Sequence, residues 1–513
     1  MSSRFEIKML CRTYCGTCLG VDAVTVTIEV DVTPGISFYL VGLPDSAVRE
    51  SQQRITTALQ SIGCKIPGRR IVINMAPADL KKEGSAYDLA IAAGIICASG
   101  QHEFPNIEKF MIMGELALDG SIRPVRGVLP VAEHARKQGF AACLFPIESA
   151  AEALEIEGIE IYGVHDLEEV VSILLGEGRI EPLSKVVSEN HNVRLYKEYD
   201  FCDIKGQSGA KRAMEVAAAG AHHILMNGSP GTGKSFLAKA LPSILPLMNR
   251  DESVETSKIY SVAGGGQYKG GGLIKERPFR SPHHSSSIYA LTGGGVNSLP
   301  GEISLAHNGV LYLDEIAEFP KHVLEILRQP LEDRQISISR MKYKITYPSN
   351  FMLVASMNPC PCGYYGENDG RCVCSPFQVA RYVAKLSGPL IDRIDIHIEV
   401  NNVPAEMLLK QGATEEQSER VRERVSAARD LQKRRFGSEC NTNSQMNQEH
   451  LKRFCSLGRD EQSMLSSAVN KLNMSARSYT RILKVARTIA DLDNSTNIKT
   501  AHLAEAIQYR RVR

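Results

Sequence analysis

The chain has 513 residues, 43% of them hydrophobic, which is enough for about three ordinary domains with cores of their own. No apolar run reaches the ~20 residues needed to cross a bilayer, and Arg4, Glu6 and early cysteines stand where a signal peptide would be apolar, so a cytoplasmic protein without a membrane partner is expected. The net charge of +2 excludes a global field for nucleic acid, yet residues 401–513 hold 20 Lys and Arg against 13 Asp and Glu, a basic C-terminal third that suits either a polyanion or a solvated helical surface. The 13 cysteines are scattered over a long chain and do not form the framework of a secreted disulfide protein.

Taken in order, residues 20–42 alternate apolar and polar with β-branched side chains, a strand signal broken at Pro34-Gly35. "DSAVRESQQRITTALQSIG" has helical spacing, "RRIVINMAP" is a strand, and "AYDLAIAAGIICASG" is a buried helix. "FMIMGELALDGSIRPVRG" is expected to turn back as a hairpin at Asp119-Gly120. "VLPVAEHARKQGF" is helical, and "AACLFP" and "IEIYGV" are short strands. These elements make a mixed α/β domain over 1–172, with Cys11, Cys15 and Cys18 placed before its first strand. Residues 173–200 have no period and are read as a linker. Strands and helices alternate over 201–403, and 404–513 is helical throughout.

The strongest motif is "HHILMNGSPGTGKSFLAKAL". An apolar strand runs into Gly228, Ser229, Pro230, Gly231, Thr232, Gly233, Lys234 and Ser235, then into a helix, the strand–loop–helix context of G-x-x-x-x-G-K-[ST]. Glycines let backbone N–H groups face phosphate oxygens, and the helix start adds positive potential. Lys234 is expected on the β and γ phosphates of ATP, and Ser235 on Mg²⁺. "NGVLYLDEIAEFP" supplies a buried strand ending in Asp314, a Mg²⁺ residue, and Glu315, which would polarise the attacking water. "FMLVASMNP" ends in Asn358, placed to orient that water. Arg393 in "GPLIDRIDIHIEV" and Arg477 in "SARSYTRILKVAR" are the candidates to neutralise γ-phosphate charge, Arg393 most naturally from a neighbouring subunit.

Cys360, Cys362, Cys372 and Cys374 give C-x-C…C-x-C within 15 residues. In a cytosolic protein such a cluster favours Zn²⁺ over disulfides. Its spacing departs from the usual C-x₂-C, so four reduced thiols in a loop stiffened by Pro359 and Pro361 stand as the other reading. His283 and His284 are adjacent on an extended chain, which should point them apart and weakens a metal role.

These segments resemble the AAA+ ATPase superfamily, in its magnesium-chelatase-like clade, and most closely the ComM (YifB) family. "RPFRSPHHSSS", "GEISLAHNGVLYLDEIAEF", "LRQPLEDRQISISR", "NPCPCGYYG" and "SGPLIDRIDIHIEV" match that family's segments in content and order over nearly the whole chain. The resemblance implies a ring-forming, hexameric ATPase that moves along DNA and drives branch migration in homologous recombination and natural transformation. It implies DNA as partner, single-stranded, forked or branched, and an all-α C-terminal lid. A metal-chelatase motor subunit and an ATP-driven protein-remodelling machine are the alternatives. Because phosphates dominate affinity for DNA, basic loops are the candidate pore residues. Arg340, Lys342 and Lys344 lie on the hairpin "QISISRMKYKITY", and Lys269 lies on a glycine-rich loop.

Residues 20–142 resemble the proteolytic domain of Lon proteases, which has a ribosomal-protein-like α/β fold. "KKEGSAYDLAIAAGI" is similar to the segment that carries the nucleophilic serine, and "GELALDGSIRPVRGVLP" to the one that carries the lysine base. Counting from Gly114-Glu115 puts Leu129 where that lysine belongs. Covalent catalysis needs nucleophile and base within hydrogen-bond reach, so this domain is expected to be non-proteolytic and to act as a scaffold.

Overall fold

The structure, a computed structural model, describes residues 10–184, 199–264, 272–295, 298–339, 344–367, 370–404, 416–437, 442–472 and 474–510. Its N-terminal unit is a seven-stranded sheet. The spatial order is Ser37–Val41, Arg70–Ala76, Asp22–Thr33, Leu10–Leu19, Phe110–Ile112, Ala142–Pro146 and Glu160–Val164. Leu10–Leu19 and Asp22–Thr33 pair antiparallel along their whole length, from Leu10 opposite Asp31 to Leu19 opposite Asp22. Ser37–Val41 pairs parallel to Arg70–Ala76, and the helix Ser46–Ser61 makes the crossover between them. Asp45 starts that helix by accepting the Val48 N–H at 2.8 Å. The helix Asp88–Ala98 is buried on every side, which suits a segment with no polar face.

Three expectations change here. Cys11, Cys15 and Cys18 do not precede the first strand; they lie inside Leu10–Leu19, where Cys11 and Cys15 are core residues. Burial pushes the Cys18 thiol up to about 12, so these sulfurs act as small hydrophobes. Nor is residues 110–127 one hairpin. Phe110–Ile112 joins the main sheet, and only the two-residue strands Glu115–Leu116 and Ile122–Arg123 close around Asp119-Gly120. The helix Leu167–Leu175 ends at Gly176, so the first residues of the expected linker are helical.

The central unit holds a five-stranded, all-parallel sheet in the order Phe279–Arg280, Val310–Leu313, Met352–Met357, Ile224–Asn227, Ile396–Glu399. The interior strands are largely apolar because helices cover both faces of a parallel sheet. The register pairs Asn227 with Met357 and Leu313 with Ala355. Gly228, Asp314, Glu315 and Asn358 therefore leave the sheet at one edge, the carboxyl ends where open α/β sheets bind ligands. A separate hairpin, Gln335–Ser339 with Lys344–Pro348, is anchored by buried Ile336, Ile345 and Tyr347.

The described C-terminal segments are helical: Ser418–Phe436, Gln448–Phe454, Arg459–Lys471, Ala476–Leu492 and Thr500–Gln508. They share one core with the sheet, through Val425, Ile482, Val485 and Leu503 against Ala217 and Ile224. The N-terminal unit docks on the central one through the helix Val128–Gln138. Gly127 N donates to Ser261 O at 3.0 Å, and Glu133 pairs with Lys258.

Candidate active site

The loop 228–233 is shaped by its glycines. Gly231 and Gly233 have φ of +83° and +89°, and a side chain at either would project into open space. L side chains rarely take up that backbone, and the open space is the cradle a phosphate chain would fill. Lys234 is 9% exposed at the first turn of the helix Lys234–Ala240. Its Nζ donates to the carbonyls of Gly228 (2.5 Å) and Ser229 (2.8 Å) and to Asn358 Oδ1 (3.3 Å). Burial lowers its pKa, while the carboxylates of Asp314 and Glu315 pull it back up.

Ser235 Oγ donates to Asp314 Oδ2 at 3.0 Å, so the two expected Mg²⁺ residues meet. Burial pushes the Asp314 carboxyl up. Hydrogen bonds from the hydroxyls of Ser356, Tyr312 and Ser235 and from the Glu315 N–H outweigh it and hold the group below the ordinary carboxylate range. An ionised carboxylate beside a hydroxyl is a hard-oxygen set that fits Mg²⁺. Glu315 is exposed, with φ of +49°. Its N–H is shared by Asp314 Oδ1 (3.1 Å) and Ser356 Oγ (3.1 Å). A left-handed glutamate costs on the order of 1–3 kcal/mol and persists where its surroundings over-determine it.

Tyr312 and Ser356 escaped the sequence reading. Both sit in strands that are otherwise apolar, and that contrast was their only signal. Tyr312 OH lies 3.2 Å from both Ser235 Oγ and Ser356 Oγ.

The other expected residues are dispersed. Arg393 is 5% exposed, with Nη1 on the Pro389 carbonyl (2.7 Å) and Nη2 on Glu332 (2.6 Å). Its guanidinium faces its own chain in this structure, and that ion pair must open before it can reach a phosphate. Arg477 is exposed at the start of the helix Ala476–Leu492. Lys344 is exposed, opposite Ser339 at the end of the hairpin that adjoins residues 340–343. Arg340, Lys342 and Lys269 lie outside the described residues.

The four cysteines come together. Cys360 Sγ is 3.3 Å from Cys362 Sγ and 3.9 Å from Cys372 Sγ, Cys362 and Cys372 are 3.7 Å apart, and all four sulfurs lie within 4.8 Å of one another. None is disulfide-bonded. His283 and His284 do not diverge as expected: their ring centroids lie 4.0 Å apart with the planes tilted by 34°, because the chain turns there and His283 Nδ1 meets Ser285 Oγ at 2.7 Å.

In the N-terminal unit, Ser85 Oγ donates to the Glu115 carboxylate, Lys81 pairs with Glu83, and Lys82 donates to the Pro77 carbonyl. Leu129 is 1% exposed, and its N–H reaches Ser261 Oγ at 3.4 Å. The position expected for a base is a joint with the central unit.

Among the described residues, no helix is long and apolar enough to cross a membrane. Residues 28–149 match the family described as subunit ChlI of Mg-chelatase, 200–408 match magnesium chelatase, subunit ChlI, and 415–510 match its C-terminal part. Competence protein ComM of Haemophilus influenzae is 44% identical over 97% of this chain and 96% of its own length. The protein designated YifB of Escherichia coli is 39% identical over 96% of each chain. Lon protease 2 of Bacillus subtilis is 31% identical over 131 residues, 25% of this chain and 23% of that one. With its Lon-like sheet, its P-loop sheet and its helical end in the same order, the chain belongs to the ComM/YifB family of magnesium-chelatase-like AAA+ ATPases.

Proposed function

We propose that this protein is a ring-forming, hexameric motor that hydrolyses ATP to move along DNA, a branch-migration helicase of homologous recombination and natural transformation. The observation that carries the reading is the convergence of Lys234, Ser235, Asp314, Glu315 and Asn358 at one sheet edge beside an open glycine loop. Likeness to Competence protein ComM supports DNA as the track.

Lys234 would leave the Gly228 and Ser229 carbonyls for the β and γ phosphates. Ser235 and Asp314 would hold Mg²⁺, which spreads the negative charge of the transferred phosphoryl group. Glu315 would take the proton from the attacking water, and Asn358 would hold that water in line. Arg393 from a neighbouring subunit and Arg477 would meet the charge that develops on the γ phosphate. Arg340, Lys342, Lys344 and Lys269 would grip the DNA backbone in the pore. The Lon-like unit would brace the ring, since Gly20 abuts Ile345 and Thr346 of the hairpin. The four cysteines would bind Zn²⁺.

The test is ATP-dependent branch migration of a synthetic four-way junction, with Lys234→Ala as control. Replacing Arg340 and Lys342 by alanine should abolish DNA-stimulated ATP turnover. Failure on forked and junction DNA, with no stimulation of hydrolysis, would overturn the reading and leave a chelatase-type or protein-remodelling motor.

A further inference from the structure

The cysteine cluster lies against the phosphate-binding loop. The chain leaves the strand Met352–Met357 at Asn358, passes Pro359, and enters the cluster at fully buried Cys360. Gly363 N donates to Cys360 O at 3.0 Å, closing a turn in which Gly363 has φ of +89°. A side chain there would come within 2.6 Å of Pro230 Cδ and 2.7 Å of Pro230 Cγ. The backbone of Gly363 is therefore seated on the ring of Pro230. One loop touches the nucleotide cradle twice, through Gly363 on Pro230 and through Asn358 on Lys234.

Side chains tie the far part of that loop: Glu367 accepts from Asn402 Nδ2 at 2.9 Å and from Arg371 at 2.6 Å, and Arg371 lies over the Tyr364 ring. The loop's described residues between Asn358 and Ser375 form no helix or strand, and Tyr365 and Val373 are 51% and 85% exposed. A connection of this length without regular structure needs another source of rigidity. Four thiolates about 2.3 Å from one tetrahedral ion stand roughly 3.8 Å apart. The separations among Cys360, Cys362 and Cys372, 3.3, 3.7 and 3.9 Å, bracket that value, and the Cys374 sulfur lies within 4.8 Å of each.

We propose that a tetrathiolate zinc centre in this loop is a clamp on the P-loop, so that metal occupancy sets the affinity for ATP. The inference rests on the ATP and zinc readings above and adds the coupling between them. With the ion in place, Cys360, Cys362, Cys372 and Cys374 fix the turn at Gly363, and that turn fixes Pro230. Without it, the turn is free to lift and the cradle loses one wall.

The test uses the full-length protein. Zinc content and the charge-transfer spectrum of Co²⁺-substituted protein read the centre alone, and a fluorescent ATP analogue reads affinity. Expected are about one metal per chain, a Kd raised about tenfold (about 1.4 kcal/mol) on chelation, and recovery on reloading. Cys372→Ser should behave as the stripped protein. Gly363→Ala keeps all four thiolates, so it should keep the cobalt spectrum while raising Kd, because its new methyl group displaces Pro230. Absence of bound metal would overturn the zinc reading and the clamp with it. Metal bound at full occupancy, with a Kd indifferent to chelation and to Gly363→Ala, would overturn the clamp alone. A loaded protein that binds no ATP analogue would overturn the nucleotide reading and the clamp.

Discussion

Lys234 and Asn358 are partners: the lysine amine lies 3.3 Å from Oδ1 of the asparagine, across two adjacent parallel strands. The bond ties the group expected to hold phosphate to the group expected to hold water. The two substitutions should therefore separate. Lys234→Ala should lose nucleotide binding and turnover together. Asn358→Ala should bind an ATP analogue nearly as well as the parent while kcat falls about 100-fold, the usual loss when one preorganised polar contact to a transition state is removed. Equilibrium binding and steady-state ATPase assays on both variants check this.

Ser356 holds the acidic pair in shape. Its hydroxyl donates to the Asp314 carboxylate and accepts the Glu315 N–H at 3.1 Å. Ser356→Ala leaves that N–H one partner short in a half-buried site and relaxes the left-handed Glu315. The loss should be about 1–3 kcal/mol of local interaction. It should read out as a higher Mg²⁺ concentration for half-maximal ATPase and a lower kcat, with the overall fold intact by circular dichroism.

How much was legible in the sequence follows from range. The P-loop and the acidic pair are contiguous motifs, and the parallel register brings them together as their strand contexts suggested. Helices with caps, such as Ser46–Ser61 behind Asp45, were equally plain. The strand Leu10–Leu19 was missed because its cysteines and glycine mask the alternation, although its partner strand was read correctly. Tyr312 and Ser356 offered only the contrast of a polar group in an apolar strand, and the pairing of Asp395 with Arg481 offered no local signal, because each is set by neighbours distant in sequence. The same is true of Gly363 against Pro230, more than 100 residues apart, which no local pattern announces.

Asp395 and Arg481 join the sheet to the helical end. Asp395 is 1% exposed at the start of the strand Ile396–Glu399, and Arg481 reaches it from the helix Ala476–Leu492. His222 Nδ1 (3.3 Å) and His223 N (3.1 Å) complete the set. Burial opposes the Asp395 charge, but Arg481 and His222 hold its pKa well below the ordinary value. Arg481→Ala would strand a buried carboxylate and should cost about 3–5 kcal/mol. Pairing it with Asp395→Asn should recover much of that loss. Urea unfolding followed by the far-UV signal measures both; equal damage in the single and double variants would show that the ion pair is not what holds the two units together.

His397 gives the structure a pH dependence whose sign can be worked out. It is 7% exposed, and burial, then the guanidinium of Arg510 at 3.2 Å, lowers its pKa from 6.5 to about 4. The unfolded chain takes up this proton near 6.5, and the folded chain refuses it until about 4. Between those values the unfolded state binds more protons. Stability is therefore fully present above pH 6.5 and falls as pH drops toward 4, with a slope of at most about 1.4 kcal/mol per pH unit from this one group. His223, held neutral to about 4 by burial, adds in the same direction. Urea titrations at pH 7, 6 and 5 should show the decline, and His397→Gln should make it shallower. A decline that His397→Gln leaves unchanged would show that His397 does not supply it.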